Sequence, residues 1–333
     1  MKRTIEGDAS ATSVRDVRRG RHSAVVSFRV VSLHVVIRLD AATVLLQWAV
    51  GGLFFLWFTT RRREVGLGYG WLLRGTNLVL AGGSVAAGFA FGVVPVREVA
   101  GVGVSVSTIA VLGISIVRRR AGVSGADAEH DRRTERVAAM TGIDRTARAD
   151  VPVGTSGEVT AQRGAEFPPV LDLIAPAIGL VGLVAAGIDA ASESGANVVV
   201  SLLRVIAGAA FLGAVTDAML LGHWYLVQPG LPRRHLNELV RALGVVWPAE
   251  VLSLLLPTGM ISVWSGSVDD GWGGTLGWFW GACALTTIIL VFVTRAALRE
   301  RYYSAVMAAT GLLYLAILTA FGTDLVARAV LAG

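Results

Sequence analysis

The sequence predicts an all-α integral membrane protein, a polytopic bundle of about eight transmembrane helices with both termini on the outer side. Of its 333 residues, 54% are hydrophobic and 16% are charged, and the mean hydropathy is +0.63. Soluble domains carry about 25% charged residues, so this composition argues against a soluble enzyme. The single cysteine excludes a disulfide scaffold and a cysteine-built metal site. We find no P-loop, HExxH or nucleophile-elbow motif, which disfavours an enzyme acting on its own.

The spans are found from continuous apolar stretches of about 20 residues, the length that crosses the hydrocarbon core. Backbone groups must be paired internally in lipid, so each stretch is predicted to be a helix. The eight predicted spans are 41–60, 73–95, 98–117, 169–189, 197–227, 236–264, 274–294 and 302–325.

The orientation follows from the arginines between the spans. The segments after the first, third, fifth and seventh spans hold 19 arginines, whereas the segments after the second, fourth and sixth hold Arg97 alone. Positively charged loops stay in the cytoplasm, so the arginine-rich side is predicted to be cytoplasmic and the protein to lie in the inner cell membrane of a bacterium.

Two segments are predicted to lie outside the membrane. Residues 1–40 carry eight Lys or Arg, which conflicts with an outer N-terminus. We expect native translation to begin near Val30 to Val36; the alternative is a genuine basic tail. Residues 118–168 mix nine arginines with eight acids and are predicted to be a disordered cytoplasmic linker. This linker separates helices 1–3 (residues 41–117) from helices 4–8 (residues 169–326).

Two acids stand out because charged groups near the bilayer centre are costly and usually functional. Counting 1.5 Å per residue, Asp217 and Glu250 are predicted near the midplane, on consecutive spans that form a hairpin. Arg204 and Arg241 are expected near the two boundaries, so no arginine is expected level with the acids. Polar side chains at the right depth complete a predicted midplane proton site, and these are Gln47, Thr286 and Tyr314.

Two prolines in the same predicted span make Glu250 a stronger functional candidate. Pro248 is predicted to free a carbonyl and kink the sixth span two residues before the acid, and Pro257 adds a second break further along. The alternative for both acids is structural, with each neutral carboxyl bonded to a neighbouring helix.

A second candidate is the run His223, Trp224 and Tyr225, which suits a quinone or haem contact. A b-type haem normally takes a second axial ligand from a facing helix, and no other histidine lies inside a predicted span. A small metal site from His223, His235 and Glu238 is a weaker hypothesis. The plain alternative is an interfacial aromatic belt.

Three functions therefore remain open: proton-coupled solute handling through the acids, a quinone- or haem-associated subunit of a respiratory complex, and an assembly or scaffold protein. The expected partners are the lipid bilayer and either other membrane subunits or further copies of the chain. The basic charge balance is explained by membrane topology, so we expect no nucleic-acid partner.

Overall fold

The computed structural model describes residues 41–121, 166–228, 231–268, 270, 272–300 and 302–331. All regular secondary structure in these ranges is helical. The predictions for the basic tail and for most of the linker concern residues outside them.

Nine α-helices run through the described residues. Their bounds are α1 Ala41–Thr60, α2 Leu67–Phe91, α3 Pro95–Val117, α4 Ile174–Ser194, α5 Val198–Val227, α6 Arg234–Leu255, α7 Gly259–Trp264, α8 Thr275–Ala297 and α9 Tyr303–Leu331. Short 3-10 turns lie at Arg118–Ala121 and Pro169–Leu173. Six helices are long and apolar enough to cross a membrane: α1, α3, α4 with its preceding turn, α5, α8 and α9. The chain is therefore a multi-pass membrane helical bundle, as predicted.

The other two predicted spans, 73–95 and 236–264, correspond to α2 and α6. Both are long, at 25 and 22 residues, but they do not belong to the six apolar helices. The predicted span 236–264 forms two helices rather than one, because α6 ends at Leu255 and α7 begins at Gly259, and the break predicted at Pro257 is confirmed. Pro257 lies in the break, where its missing N–H and its ring prevent the helix from continuing. In contrast, α6 continues through Pro248.

The bundle is organised around α1 and α5. Of the six apolar helices, α1 is the most buried. The α5 helix packs against α4, α6 and α9, while α3 packs against α2 and α4, and α8 against α9 and α6. Gly51 of α1 and Gly213 of α5 face each other so closely that a Cβ on either would overlap the backbone of the other helix. Small residues allow such close contact between membrane helices.

Candidate functional site

Four helices bring polar groups together around Gly208 of α5. A methyl group at Gly208 would lie 2.9 Å from both Gln47 Nε2 of α1 and Asp324 Oδ1 of α9, and closer still to Arg328 of α9. Glu250 of α6 completes the set, because Asp324 and Arg328 interact with it electrostatically. We call these five residues the Gly208 junction. A side chain at position 208 would displace the ends of these polar side chains.

Within the junction, Asp324 and Arg328 form an ion pair one helical turn apart. Arg328 Nε lies 2.9 Å from each oxygen of Asp324, and Arg328 Nη2 donates to the backbone carbonyl of Arg204 at 3.1 Å. The Asp324 side chain is fully buried and that of Arg328 is 9% exposed. The charge of Asp324 is therefore matched by a hydrogen-bonded guanidinium on its own helix.

The surroundings of Glu250 differ from those of Asp324. It is fully buried, and its carboxyl lies within hydrogen-bond range of the Asp324 carboxyl, but no N–H or hydroxyl group of the described residues donates to it. The charged groups around it are Asp324, Arg328 and Arg204. In the described part of the chain, Gln47 Oε1 is also buried without a partner, although Gln47 Nε2 donates to the Val205 carbonyl at 2.6 Å. The unsatisfied atoms at the junction are thus hydrogen-bond acceptors, which favour a proton or another donor.

Arg204 lies between Glu250 and the break after α6. Its Nε donates to the Ser253 carbonyl at 3.0 Å and its Nη2 donates to the Leu256 carbonyl. The last carbonyls of a helix have no intrahelical partner and carry partial negative charge, so a guanidinium caps them well. Because Glu250 is five residues before the end of α6, it lies about 7–8 Å from that end. The junction is thus in the half of the bundle opposite the arginine-rich loops.

These contacts correct the sequence-based description of the site. The expectation that no arginine lies level with Glu250 is wrong, because Arg204 and Arg328 both interact with it. Asp324 and Arg328 were not predicted at the site: Asp324 is the second-last residue of the predicted span 302–325, and Arg328 lies beyond that span, whereas α9 continues to Leu331. An aspartate and an arginine four residues apart at the end of an apolar stretch were the available signal.

Asp217 lies away from this junction. It is nine residues beyond Gly208 on α5, which is about 14 Å along the helix axis. Its side chain is fully buried, and within the described residues neither carboxyl oxygen has a hydrogen-bond partner. Tyr69 of α2 donates to its backbone carbonyl at 3.3 Å. The structure therefore contains two separate acid sites where the sequence suggested a shared one.

The remaining predicted polar residues are also outside the junction. Thr286 is exposed on α8, whereas its neighbour Thr287 is buried and bonds to the Cys283 carbonyl and to Thr319. Tyr314 is 43% exposed, and its hydroxyl lies 3.4 Å from Nδ1 of the exposed His223. Only Gln47 and Glu250 of the predicted midplane set meet at the junction.

The candidate metal ligands have other partners. His235 Nε2 lies 2.7 Å from Glu64, and Glu238 forms ion pairs with Arg61 and Arg62 at 3.2 and 2.7 Å. In the part of the chain that the structure describes, no group of three His, Cys, Asp or Glu side chains could hold a metal ion. The structure thus does not bring His223, His235 and Glu238 together as a metal site.

The aromatic run next to His223 divides between surface and core. Trp224 Nε1 donates to Gln228 at 3.1 Å, and the buried Tyr225 donates its hydroxyl to the Pro232 carbonyl at 2.7 Å.

No family model, curated protein or solved structure matches the chain. Its function is therefore inferred from the chemistry of its buried acids.

Proposed function

We propose that this chain is a proton-coupled carrier of the cell membrane, and that Glu250 is the group that binds and releases the proton. The observation that carries the proposal is the burial of Glu250 next to the Asp324 carboxyl, with no N–H or hydroxyl donor among the described residues. Leaving a buried polar group unsatisfied is costly, so such a group usually has a purpose beyond packing.

The surroundings of Glu250 suit a proton that is both bound and released. Burial in a medium of low dielectric favours the neutral carboxyl, and so does the nearby carboxylate of Asp324. The guanidinium groups of Arg204 and Arg328 favour the carboxylate instead. These opposing influences allow a modest rearrangement of either arginine to change which form of Glu250 is preferred.

The break after α6 supplies an element that can rearrange. Arg204 holds the free carbonyls of this helix end while it also interacts with Glu250. Loss of the proton from Glu250 would strengthen the attraction of Arg204 to the carboxylate and weaken its hold on the helix end. Protonation of Glu250 would thereby be coupled to the position of the α6–α7 break, through which we propose that a solute is admitted.

The first test is whether Glu250 exchanges a proton. Purified full-length protein in lipid nanodiscs would be examined by infrared difference spectroscopy between neutral and alkaline buffer, a range in which exposed carboxyls stay ionised. The carbonyl band of a protonated carboxyl should appear at neutral pH, and Glu250→Gln should remove its glutamate component. The matched control is Glu193→Gln, the same change at an exposed residue near the end of α4. An unchanged band in Glu250→Gln would overturn the proposal.

The second test concerns coupling to a solute. Proteoliposomes enclosing a pH-sensitive dye would be exposed to a panel of sugars, amino acids, organic cations and carboxylates. Wild-type protein and Glu193→Gln should acidify the lumen with one solute class, whereas Glu250→Gln should reduce this flux to that of protein-free vesicles. If no solute moves protons through the wild type, the carrier function is wrong.

A quinone contact at His223 is the second candidate, favoured by one observation. His223 and Tyr314 are both exposed on the side of the bundle, and together they present hydrogen-bonding groups 3.4 Å apart. A quinone carbonyl could accept from such a pair. Bound quinone would be detected by solvent extraction and absorbance of the purified protein, and its loss in His223→Ala would support this alternative.

A further inference from the structure

A second buried acid shares the defining property of Glu250. Asp217 is fully buried, and neither of its carboxyl oxygens finds a hydrogen-bond partner within the described residues. Unlike Glu250, Asp217 has no charged side chain acting on it in the described part of the chain. The titratable group that faces it is Tyr69 of α2, next to which lies Tyr225 of α5. Asp217 is therefore an isolated carboxyl in an apolar environment.

The position of Asp217 along α5 places it on the other side of the glycine contact. Gly213 packs directly against Gly51 of α1, and this contact is five residues after Gly208 and four residues before Asp217. No side chain separates the two helices at this level. The contact thus lies between the two acids and closes the space between α1 and α5.

Asp217 is also closed off from the arginine-rich side. The ring of Trp224 lies 5.9 Å from that of Tyr69, whose hydroxyl reaches the backbone of Asp217. Gln228 holds this cover in place, because its Oε1 accepts from both Trp224 Nε1 and the Gly66 backbone at 3.1 Å. Along α5, Asp217 therefore lies between this aromatic pair and the two packed glycines.

We propose that Asp217 is a second proton-binding site, in series with Glu250, and that the Gly51–Gly213 contact is the barrier between them. A proton released by one carboxylic acid is accepted by the other carboxylate, so charge and atoms balance without a redox partner. The transfer requires α1 and α5 to separate enough for water to connect the two acids. The transfer of a proton between the two acids rests on the proposed function of Glu250, but proton binding by Asp217 does not.

The closing experiment distinguishes the two acids. Infrared difference spectra between neutral and alkaline buffer, a range in which exposed aspartates stay ionised, would be recorded for full-length wild type in nanodiscs, with and without isotope-labelled aspartate. An aspartate carboxyl band should shift with the label, and Asp217→Asn should remove that band while keeping the band assigned to Glu250. The matched control is Asp189→Asn on α4, which should keep both bands.

Each outcome decides one proposal. If no aspartate band depends on pH in the wild type, or if Asp217→Asn keeps it, Asp217 is not a proton site, whatever Glu250 does. If Glu250→Gln loses its band while no aspartate band depends on pH, the Glu250 site is supported and the Asp217 site is rejected. Asp217→Glu guards against misfolding of the amide variant, because it retains a carboxyl and should show the titrating band without the aspartate label.

Discussion

Two buried carboxylates of this bundle differ in the hydrogen-bond donors around them. Asp172, just before α4, accepts from Arg74 of α2 through both oxygens, at 2.8 Å each, with side-chain exposures of 1% and 2%. The Arg74 guanidinium also lies 4.6 Å from the Phe167 ring and bonds to Ser115. Glu250 is as deeply buried, yet it has no hydrogen-bond donor in the described residues.

We interpret this difference as one between a structural acid and an acid with the proposed function. The Arg74–Asp172 pair joins α2 to the start of α4, and its planar, two-bond geometry leaves no charge unmatched. Glu250 gains no comparable stabilisation, which is the reason that we propose a role for its carboxyl beyond packing. The contrast can be tested by making the same acid-to-amide change at each position.

The largest expected effect is on stability at the paired acid. Asp172→Asn leaves the Arg74 charge buried without a carboxylate, and breaking such a pair costs about 3–5 kcal/mol. The free energy of unfolding, measured by denaturant titration in mixed micelles, should fall by that amount. Replacing both partners, as Arg74→Met with Asp172→Leu, should recover most of the loss. A silent Asp172→Asn would mean that the pair contributes little.

The glycine contact between α1 and α5 should give the next largest effect. Gly213→Ala places a methyl group on the backbone of Gly51, and overpacking of this kind costs about 1–3 kcal/mol. If the contact is also the barrier that must open, the variant should change proton flux even where it remains folded. Gly113→Ala on α3 is the matched control, since its added methyl group meets open space.

The unpaired acid should behave in the opposite way from Asp172. Glu250→Gln replaces a carboxyl that has no donor with an amide of the same shape, so the free energy of unfolding should change by no more than about 1 kcal/mol. Solute-coupled proton flux should nevertheless be lost. Equal destabilisation in Glu250→Gln and Asp172→Asn would erase the distinction between the two acids.

The sequence predicted the helical class and most of the bundle because apolarity over 20 residues is a local property. It predicted Gln47 and Glu250 at one site because depth along a span can be counted. It failed where the answer depends on how helices face each other. Thr286 and Thr287 differ by about 100° around α8, and the sequence could not show that Thr287 is the buried one.

Counting residues along the spans also could not predict which charged side chains pair with each other. Arg204 was expected near a boundary, and counting along its span could not show that its side chain bonds to the end of α6, where the break at Pro257 leaves carbonyls free to accept. Asp324 and Arg328 were missed because the end of α9 is not marked by apolarity alone. These three residues determine the electrostatics of Glu250, so its environment required the structure.

The smallest expected effect comes from Glu64, an acid that is paired but less buried than Asp172. It lies between α1 and α2 and bonds to Arg234 and His235 at the start of α6. Burial raises the pKa of Glu64, but the bonds from Arg234 and His235 outweigh it and hold the pKa below its ordinary value of 4.5. A carboxyl whose pKa is lower in the folded state stabilises that state above the unfolded pKa, and this stability is lost as the pH falls through the lowered value.

The Arg234 side chain is 41% exposed, so solvent screening limits the contribution of Glu64 to about 0–1 kcal/mol. Unfolding measured in acidic and neutral buffer should therefore show a small loss of stability in acid for the wild type, and Glu64→Gln should remove that part of the pH dependence. A larger loss in acid that persists in Glu64→Gln would place the responsible carboxyl elsewhere in the chain.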